Sequence, residues 1–318
     1  MIKRWGAYII GGILLSSILA SFFIGAVNLK LKDIINGSPI FWEIRLPRVI
    51  NAFSVGAGLS ISGAVLQAIF RNPLADPYLL GISSGAAVGA SLGILLGLSW
   101  GVGGCSFVGA LLSLFFVYRI ALREGFLSTE GLLLAGVAVN ALLSAVLGFL
   151  LYLVGKSIHG VLFWLWGNLS LSSWETLLKV LPLIILSILV ILRYSDELNV
   201  MLWGDEHAVQ MGVDVSKVKK IVVVFASLAT ASSVASSGII GFVGLVIPHM
   251  IRISLGPDHR VLLPASALLG GAVLVLADLL ARELISPAEI PVGIITALGG
   301  APFFIFLLKK HYGKDAEG

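Results

Sequence analysis

The chain has 318 residues, of which 58% are hydrophobic and only 12% are charged, and its mean hydropathy is +1.03. A soluble domain carries about a quarter charged residues, so this composition excludes an ordinary soluble protein and predicts a membrane protein. The net charge of +4 then gives no reason to expect a nucleic-acid partner, and the single cysteine, Cys105, excludes an internal disulfide and a multi-cysteine metal site.

Apolar stretches of about 20 residues, each able to cross a ~30 Å hydrocarbon core as a helix, recur along the chain. We predict an all-α polytopic membrane protein in which residues 1–318 form a single transmembrane domain. The first stretch follows Lys3 and Arg4 as in a signal peptide, but it is longer than the usual apolar region of such a peptide and is interpreted as a retained span. The predicted crossings are 5–27, 49–70, 77–98, 106–122, 130–154, 174–192, 220–237, 241–255, 261–281 and 290–308.

Two of these crossings, 49–70 and 241–255, are rich in glycine, and the second is short for a full span. Irregular backbone at membrane depth needs protein or a water-filled cavity around it, so both are candidates for lining a pathway. Lysine and arginine concentrate on the cytoplasmic side of membrane proteins. Placing both termini in the cytoplasm puts fourteen of the 21 basic residues inside, so we predict this orientation in the inner membrane. Arginines on the outer side, such as Arg45 and Arg48, run against this rule, and their position needs a separate explanation.

The sequence lacks the motifs of several enzyme classes. A phosphate-binding loop requires G-x-x-x-x-G-K-[ST], and Gly155-Lys156-Ser157 matches only its end, because Leu150 stands where the first glycine should be. No H-E-x-x-H zinc motif and no G-x-S-x-G nucleophile elbow occurs. The polar insertions near 28–48, 155–173 and 193–219 are too short for a second folded domain. We therefore predict no catalytic residue, no metal site and no cofactor bound by this chain, which is not itself an enzyme.

One carboxylate, Asp278, lies clearly within a predicted span, and Arg282 follows it one helical turn later. This spacing favours an i,i+4 ion pair near the outer end of a helix. A proton relay would need several such residues, whereas Gln67, Asn140 and His249 are isolated polar positions. An ion-coupled secondary transporter that works without an ATPase therefore stays the weaker alternative.

Two polar segments on the predicted inner side carry strong local signals. The prolines of the 71–77 segment predict a tight turn that could narrow the inner mouth of a pore. In the 203–216 loop, Asp205 and Glu206 suit the N-terminus of a short helix, and Gly212 suits its left-handed end. Asp214 or Ser216 is then expected to cap a second short helix that leads into the next span.

Several blocks of sequence, covering roughly residues 40 to 310, occur in an order that resembles one family. They are Arg45-Leu46-Pro47-Arg48, Gly63-Ala64-Val65-Leu66-Gln67, Asn72-Pro73-Leu74-Ala75-Asp76-Pro77 with Leu80-Gly81, Leu132-Leu133-Leu134-Ala135-Gly136-Val137-Ala138, the 204–213 loop, Gly241-Phe242-Val243-Gly244-Leu245-Val246-Ile247-Pro248-His249, Asp258-His259-Arg260, Pro291-Val292-Gly293-Ile294-Ile295-Thr296 and Gly300-Ala301-Pro302. The chain resembles the permease subunits of ABC importers for iron-siderophores, haem and vitamin B12, which have a type II importer fold.

The resemblance implies about ten helices, a second permease subunit that we expect to be identical, two cytoplasmic ATPase subunits that hold ATP and Mg, and a periplasmic or lipid-anchored binding protein. An iron-siderophore is the substrate expected first, with haem or cobalamin next. These pathways need little substrate chemistry of their own, because the binding protein makes the selection.

The resemblance also implies roles for particular residues. The loop at about 194–218 looks like the segment that contacts the ATPase, through Gly204, Asp205, Glu206, His207, Ala208, Met211, Gly212 and Val213. The outer arginines that would dock the binding protein are Arg45, Arg48 and Arg282. The cytoplasmic gate would consist of Asn72, Leu74, Ser128 and Thr129, and the pathway would be lined by Ser83, Ser84 and Gly85.

Overall fold

The structure is a computed structural model that describes residues 2–25, 29–98, 101–123, 126–154 and 158–315. Within these ranges the chain forms fourteen α-helices. They are α1 (Ile2–Phe23), α2 (Leu31–Ile35), α3 (Leu46–Ile69), α4 (Ile82–Leu96), α5 (Gly101–Ala121), α6 (Thr129–Val154), α7 (Ile158–Leu165), α8 (Trp174–Arg193), α9 (Ser195–Met201), α10 (Asp205–Gln210), α11 (Val215–Ser237), α12 (Val243–Leu255), α13 (His259–Glu283) and α14 (Val292–Asp315).

Three shorter elements complete the described chain. A π-helix, Ile40–Arg45, leads directly into α3, and a 3₁₀-helix, Pro77–Leu80, precedes α4. Between α5 and α6, β1 (Leu122–Arg123) pairs antiparallel with β2 (Phe126–Leu127). The described residues are thus predominantly helical, as predicted, and their strands are limited to this pair of two-residue segments.

The long helices confirm the predicted crossings. In the described part of the chain, six helices are long and apolar enough to cross a membrane. Four shorter apolar helices match the other four predicted spans: Ile9–Phe23, Ile82–Leu96, Val243–Leu255 and Val292–Phe306. The predicted boundaries differ by a few residues, and the end of the 5–27 crossing includes residues 26 and 27, which lie outside the described part. The rejected phosphate-loop match at 155–157 also lies outside it.

Helix α3 occupies the centre of the bundle, and nearly all of its residues are buried. Pro47 in its first turn suits a helix start, because a proline there forfeits no internal hydrogen bond. Glycines then allow direct backbone contact with neighbouring helices: a Cβ at Gly63 would lie 1.8 Å from the Gly244 carbonyl oxygen of α12, and one at Gly56 would lie 2.3 Å from Gly270 O of α13. Such small-residue contacts bring membrane helices close together.

Helix α12 is short, and its beginning is irregular. Its 13 residues reach about 20 Å, less than a hydrocarbon core of ~30 Å. Phe242, the residue before it, has φ +69°, a left-handed conformation that is rare for a bulky side chain. The Tyr78 hydroxyl donates to Ile240 O at 2.9 Å and accepts from Ile240 N at 3.2 Å. The tyrosine therefore satisfies backbone groups that the interrupted helix leaves open.

The connecting segments gather at two ends of the bundle. We call one end the α10 end; it holds residues 70–77, 122–123, 126–129, 194–214 and 256–258. Its segments are joined by contacts such as that between Asn199 Nδ2 and Asp258 Oδ1 at 2.8 Å. The opposite end, the α2 end, holds residues 29–45, 166–173 and 284–291. There Trp174 Nε1 donates to Trp42 O at 2.9 Å, which ties the start of α8 to the π-helix.

Candidate functional site

Helix α10 forms as the sequence predicts. Gly204 precedes it with φ +119°, Asp205 and Glu206 occupy its first turn, and Gly212 follows its end with φ +86°. Carboxylates suit the positive end of a helix, and glycine adopts left-handed backbone without a steric penalty.

One expectation for this loop was wrong. Asp214 does act as a cap, since its side chain accepts a hydrogen bond from Lys217 N, but the helix that it caps is α11 itself, which starts at Val215. The spanning helix α11 therefore begins directly after Asp214, and no separate short helix stands between α10 and α11. The second short helix at this end is α9, which comes before α10 rather than after it.

Helix α10 and the turn before it present an apolar surface to the outside. The α10 surface, as we call it, comprises Leu202, Trp203, Glu206, Val209 and Met211, and the exposed fraction of its Trp203 is 81%. His207 is also exposed, whereas Ala208 is fully buried and anchors the helix on the bundle. Large apolar side chains gathered on an exposed surface mark a site of contact with another protein or with a membrane.

The opposite side of α10 is tied to the bundle by Asp205. Its Oδ1 lies 2.5 Å from Nη2 of Arg71, and its Oδ2 pairs with Nζ of Lys219 on α11. Lys219 Nζ in turn donates to Thr129 Oγ1 at 3.0 Å. Sequence reasoning missed Lys219, although it shares the buried helical spacing of Val215, Val218 and Val222, which could have revealed an inward-facing cation.

The four residues predicted to form the cytoplasmic gate all lie at the α10 end. Asn72 Oδ1 accepts from Leu74 N at 2.9 Å and so holds the turn after α3, while Ser128 Oγ accepts from Gly131 N at 3.1 Å and caps the start of α6. Leu74 is 39% exposed. The structure places Ser128 and Thr129 beside Lys219 and places Asn72 next to Arg71 in the chain; the gating role itself stays a prediction.

A cavity of about 670 Å³ opens between α10 and the start of α6. Ser128, Thr129 and Glu130 form one wall, and Asp205, Glu206 and Val209 form the other, with Lys219 between them. The short helix therefore stands apart from the 127–130 segment, and the Asp205–Lys219–Thr129 contacts connect the two across this space.

The three arginines predicted to dock a binding protein lie together at the α2 end, but they are buried: Arg45 is 4% exposed, Arg48 is 7% exposed and Arg282 is 7% exposed. Arg45 Nη1 donates to Phe22 O at 2.8 Å, and Arg282 Nη2 donates to Ser21 Oγ at 2.6 Å. All three are thus engaged within the chain rather than projecting from it. Docking by these residues stays a prediction.

Asp278 is the centre of this cluster. It is 1% exposed, it accepts hydrogen bonds of 2.9 to 3.0 Å from Arg48, and it lies 3.3 Å from Arg282 Nε. The i,i+4 pair expected from the sequence is therefore present, and Arg48 is a second partner that the spacing could not reveal. Arg48 also holds Glu289, whose side chain is 39% exposed, through two hydrogen bonds of 3.0 Å.

The residues expected to line a pathway lie on the first turn of α4. Ser84 Oγ donates to Asn140 Oδ1 at 2.6 Å, and a Cβ at Gly85 would lie 2.5 Å from Gly109 O, so these two residues serve helix packing in the single chain. Gly85 also borders an apolar cavity of about 460 Å³ between α4, α5 and α6. Ser83 is half-buried. Pathway lining by these residues stays a prediction.

The arrangement of the whole bundle matches a known transport fold. A structure described as an inward-facing conformation of a metal-chelate type ABC transporter superposes with a TM-score of 0.88 and 36% identity, over 95% of this chain and 98% of the other. The helices therefore define a multi-pass permease with the type II ABC importer fold.

The chain belongs to the FecCD transport family, whose pattern matches residues 13–310. It is 51% identical over 274 residues to the cobalamin import system permease protein BtuC of Halobacterium salinarum, covering 86% of this chain and 74% of the relative. It is 40% identical over 309 residues to the hemin transport system permease protein HmuU of Yersinia pestis, covering 92% of each. The resemblance drawn from the motifs is thereby confirmed.

Proposed function

We propose that this permease is the membrane-spanning part of an importer driven by ATP hydrolysis on a separate, cytoplasmic ATPase subunit. The observation that carries the proposal is the α10 surface, where exposed apolar side chains surround Glu206 at one end of a membrane bundle. The sequence has no phosphate-binding loop of its own. A surface of this kind suits a soluble partner that binds ATP in place of this chain.

The proposal fixes the orientation and the assembly. With the α10 end in the cytoplasm, Arg71, Lys219 and Arg260 lie on the inner side, in agreement with the positive-inside rule. Two copies of this chain, two ATPase subunits and a periplasmic or lipid-anchored binding protein would form the complete importer. Both termini of the permease then lie in the cytoplasm.

The α2 end would receive the binding protein. Because Asp278 already pairs with Arg48 and Arg282, an approaching carboxylate meets a cluster that is largely neutralised. Glu289 is its most accessible charged member, and solvent weakens the pairing of an exposed carboxylate. We infer that a carboxylate on the binding protein reaches Arg48 by displacing Glu289.

For the substrate we propose a macrocyclic metal chelate, the chemical class that includes cobalamin and haem. The support is the similarity to relatives named for cobalamin import and hemin transport. An iron-siderophore, expected first from the motifs, remains the comparison substrate in the test below.

The alternative of an ion-coupled transporter has less support from the geometry. Such a transporter needs an embedded carboxylate that gains and loses its ion during the cycle. Asp278, the candidate for that role, already pairs with two arginines of the chain, so it is poorly placed to exchange an ion.

The test reconstitutes the permease in proteoliposomes with its ATPase and binding protein, and measures uptake of labelled cobalamin, hemin and a ferric siderophore. We expect ATP-dependent uptake of a macrocycle. The ATPase should no longer co-purify with the Trp203→Ala or Glu206→Lys variant. It should co-purify normally with Glu43→Lys, the control that makes the same charge change at the α2 end. Uphill uptake by the permease alone on an ion gradient would overturn the proposal, and uptake of the siderophore only would overturn the substrate class.

A further inference from the structure

We propose that Asp205 is the positioning residue that transmits movement of α10 to both halves of the predicted gate, through Arg71 on one side and through Lys219 and Thr129 on the other. This inference rests on the proposed ATPase contact at the α10 surface. It assigns neighbouring carboxylates different tasks, since Asp205 pairs with Arg71 and Lys219 whereas Glu206 belongs to the exposed α10 surface.

The geometry of the carboxylate makes one branch of this connection. Asp205 Oδ1 lies 2.5 Å from Arg71 Nη2, and Arg71 directly precedes Asn72, the first predicted gate residue. Arg71 has φ +47°, in the left-handed region, where the allowed range for a residue with a side chain is small. A displacement of Arg71 together with α10 should therefore also move the turn at 72–74. Asn72 is bound into that turn by its contact with Leu74 N.

Lys219 makes the other branch. Its side chain is 6% exposed and pairs with Asp205 Oδ2, and its ammonium also donates to Thr129 Oγ1 at 3.0 Å. A buried ammonium that loses its carboxylate is left uncompensated, so Lys219 is strongly held to Asp205. Any displacement of the first turn of α10 must therefore carry Lys219 along or break this pair.

The cavity beside α10 explains why this connection matters. Because about 670 Å³ of space separates α10 from the 127–130 segment, a push on the short helix is not passed on by dense packing there. The charged side chains cross that gap. A single carboxylate whose two oxygens hold two cations ties the helix to the 72–74 turn and to Thr129 at once.

The experiment compares variants in the complete importer in proteoliposomes and measures substrate molecules moved per ATP hydrolysed, together with ATPase co-purification. We expect Asp205→Asn to retain the ATPase and to lower the transport ratio about tenfold, within the usual range of coupling between sites. Asp196→Asn is the matched control, because it breaks the exposed Asp196–Arg260 pair at the same end and should leave the ratio unchanged.

Two further variants separate transmission from simple damage. Asp205→Asn combined with Lys219→Met removes the buried charge, so it should restore stability without restoring the transport ratio. Arg71→Gln changes a half-exposed side chain, should fold normally and should lower the ratio, and adding it to Asp205→Asn should cause no further loss.

The outcomes distinguish the two proposals. The role of Asp205 would be overturned if Arg71→Gln had a normal transport ratio. It would also be overturned if the Asp205→Asn, Lys219→Met double variant recovered the ratio. Either result would leave the ATPase contact intact. Failure of the unaltered permease to bind any ATPase would instead overturn the proposed function on which this role depends.

Discussion

Replacing Asp278 by asparagine tests the energetic weight of the cluster at the α2 end. The carboxylate is 1% exposed and lies between Arg48 and Arg282, so Asp278→Asn removes one negative charge and leaves two buried cations facing each other. Each contact at ~3 Å is worth about 5 kcal/mol at an effective dielectric constant of 20. Asparagine keeps the volume and one acceptor oxygen, and Glu289 still offsets part of the charge on Arg48.

The expected loss of stability is therefore about 3 to 5 kcal/mol, as found when one partner of a buried ion pair is removed. At roughly 2 to 4 °C per kcal/mol, the melting temperature should fall by about 10 °C. The assay is thermal unfolding of the detergent-solubilised protein, followed by the fraction that still elutes as a single species after heating.

Glu289→Gln is the matched control for this measurement. Its carboxylate contacts the same Arg48 but is 39% exposed, so solvent screening limits the cost to about 1 kcal/mol or less. If Asp278→Asn and Glu289→Gln shift the melting temperature equally, the reasoning that burial sets the cost is wrong.

Two other predictions concern single positions. Gly63→Ala should prevent stable folding, because its Cβ would lie 1.8 Å from Gly244 O. Gly148→Ala is the control: its Cβ meets nothing within 4 Å, so this variant should express at the normal level. Equal yields of the two variants on size-exclusion chromatography would contradict this. Burial raises the pKa of Asp76 from 3.8 to about 6, so the folded state binds this proton more tightly than the unfolded state does. The resulting contribution to the free energy of unfolding is present below pH 4 and is lost as the pH rises through 6. Asp76→Asn should therefore raise stability at pH 8 by up to about 3 kcal/mol and flatten the melting profile between pH 4 and 6.

The spans could be predicted because each is an apolar stretch of membrane length, a signal that one sequence carries by itself. The predicted 130–154 and 174–192 crossings agree with α6 and α8 to within one residue at each end. Helices α2, α7 and α9 were missed because five to eight residues show too little periodicity to stand out.

The local form of α10 could also be predicted, because capping preferences act within a few residues. The pairing of the Asp205 side chain could not be predicted, because its partner Arg71 is 134 residues away in the sequence. The pair of Arg48 and Asp278 could not be predicted either, because these residues are 230 positions apart. Such pairs exist only after the helices have packed. For the same reason the sequence indicated arginines at the α2 end but not their burial.

The hydrogen bonds of the Tyr78 hydroxyl affect how well the helix bundle can exclude water. An interrupted helix inside a bilayer usually attracts water, because bare amide and carbonyl groups need partners. Here the Tyr78 hydroxyl, which belongs to the chain itself, hydrogen-bonds both the amide and the carbonyl group of Ile240. The break between α11 and α12 therefore needs no solvent partner at Ile240, and it does not by itself require a water-filled path through the bundle.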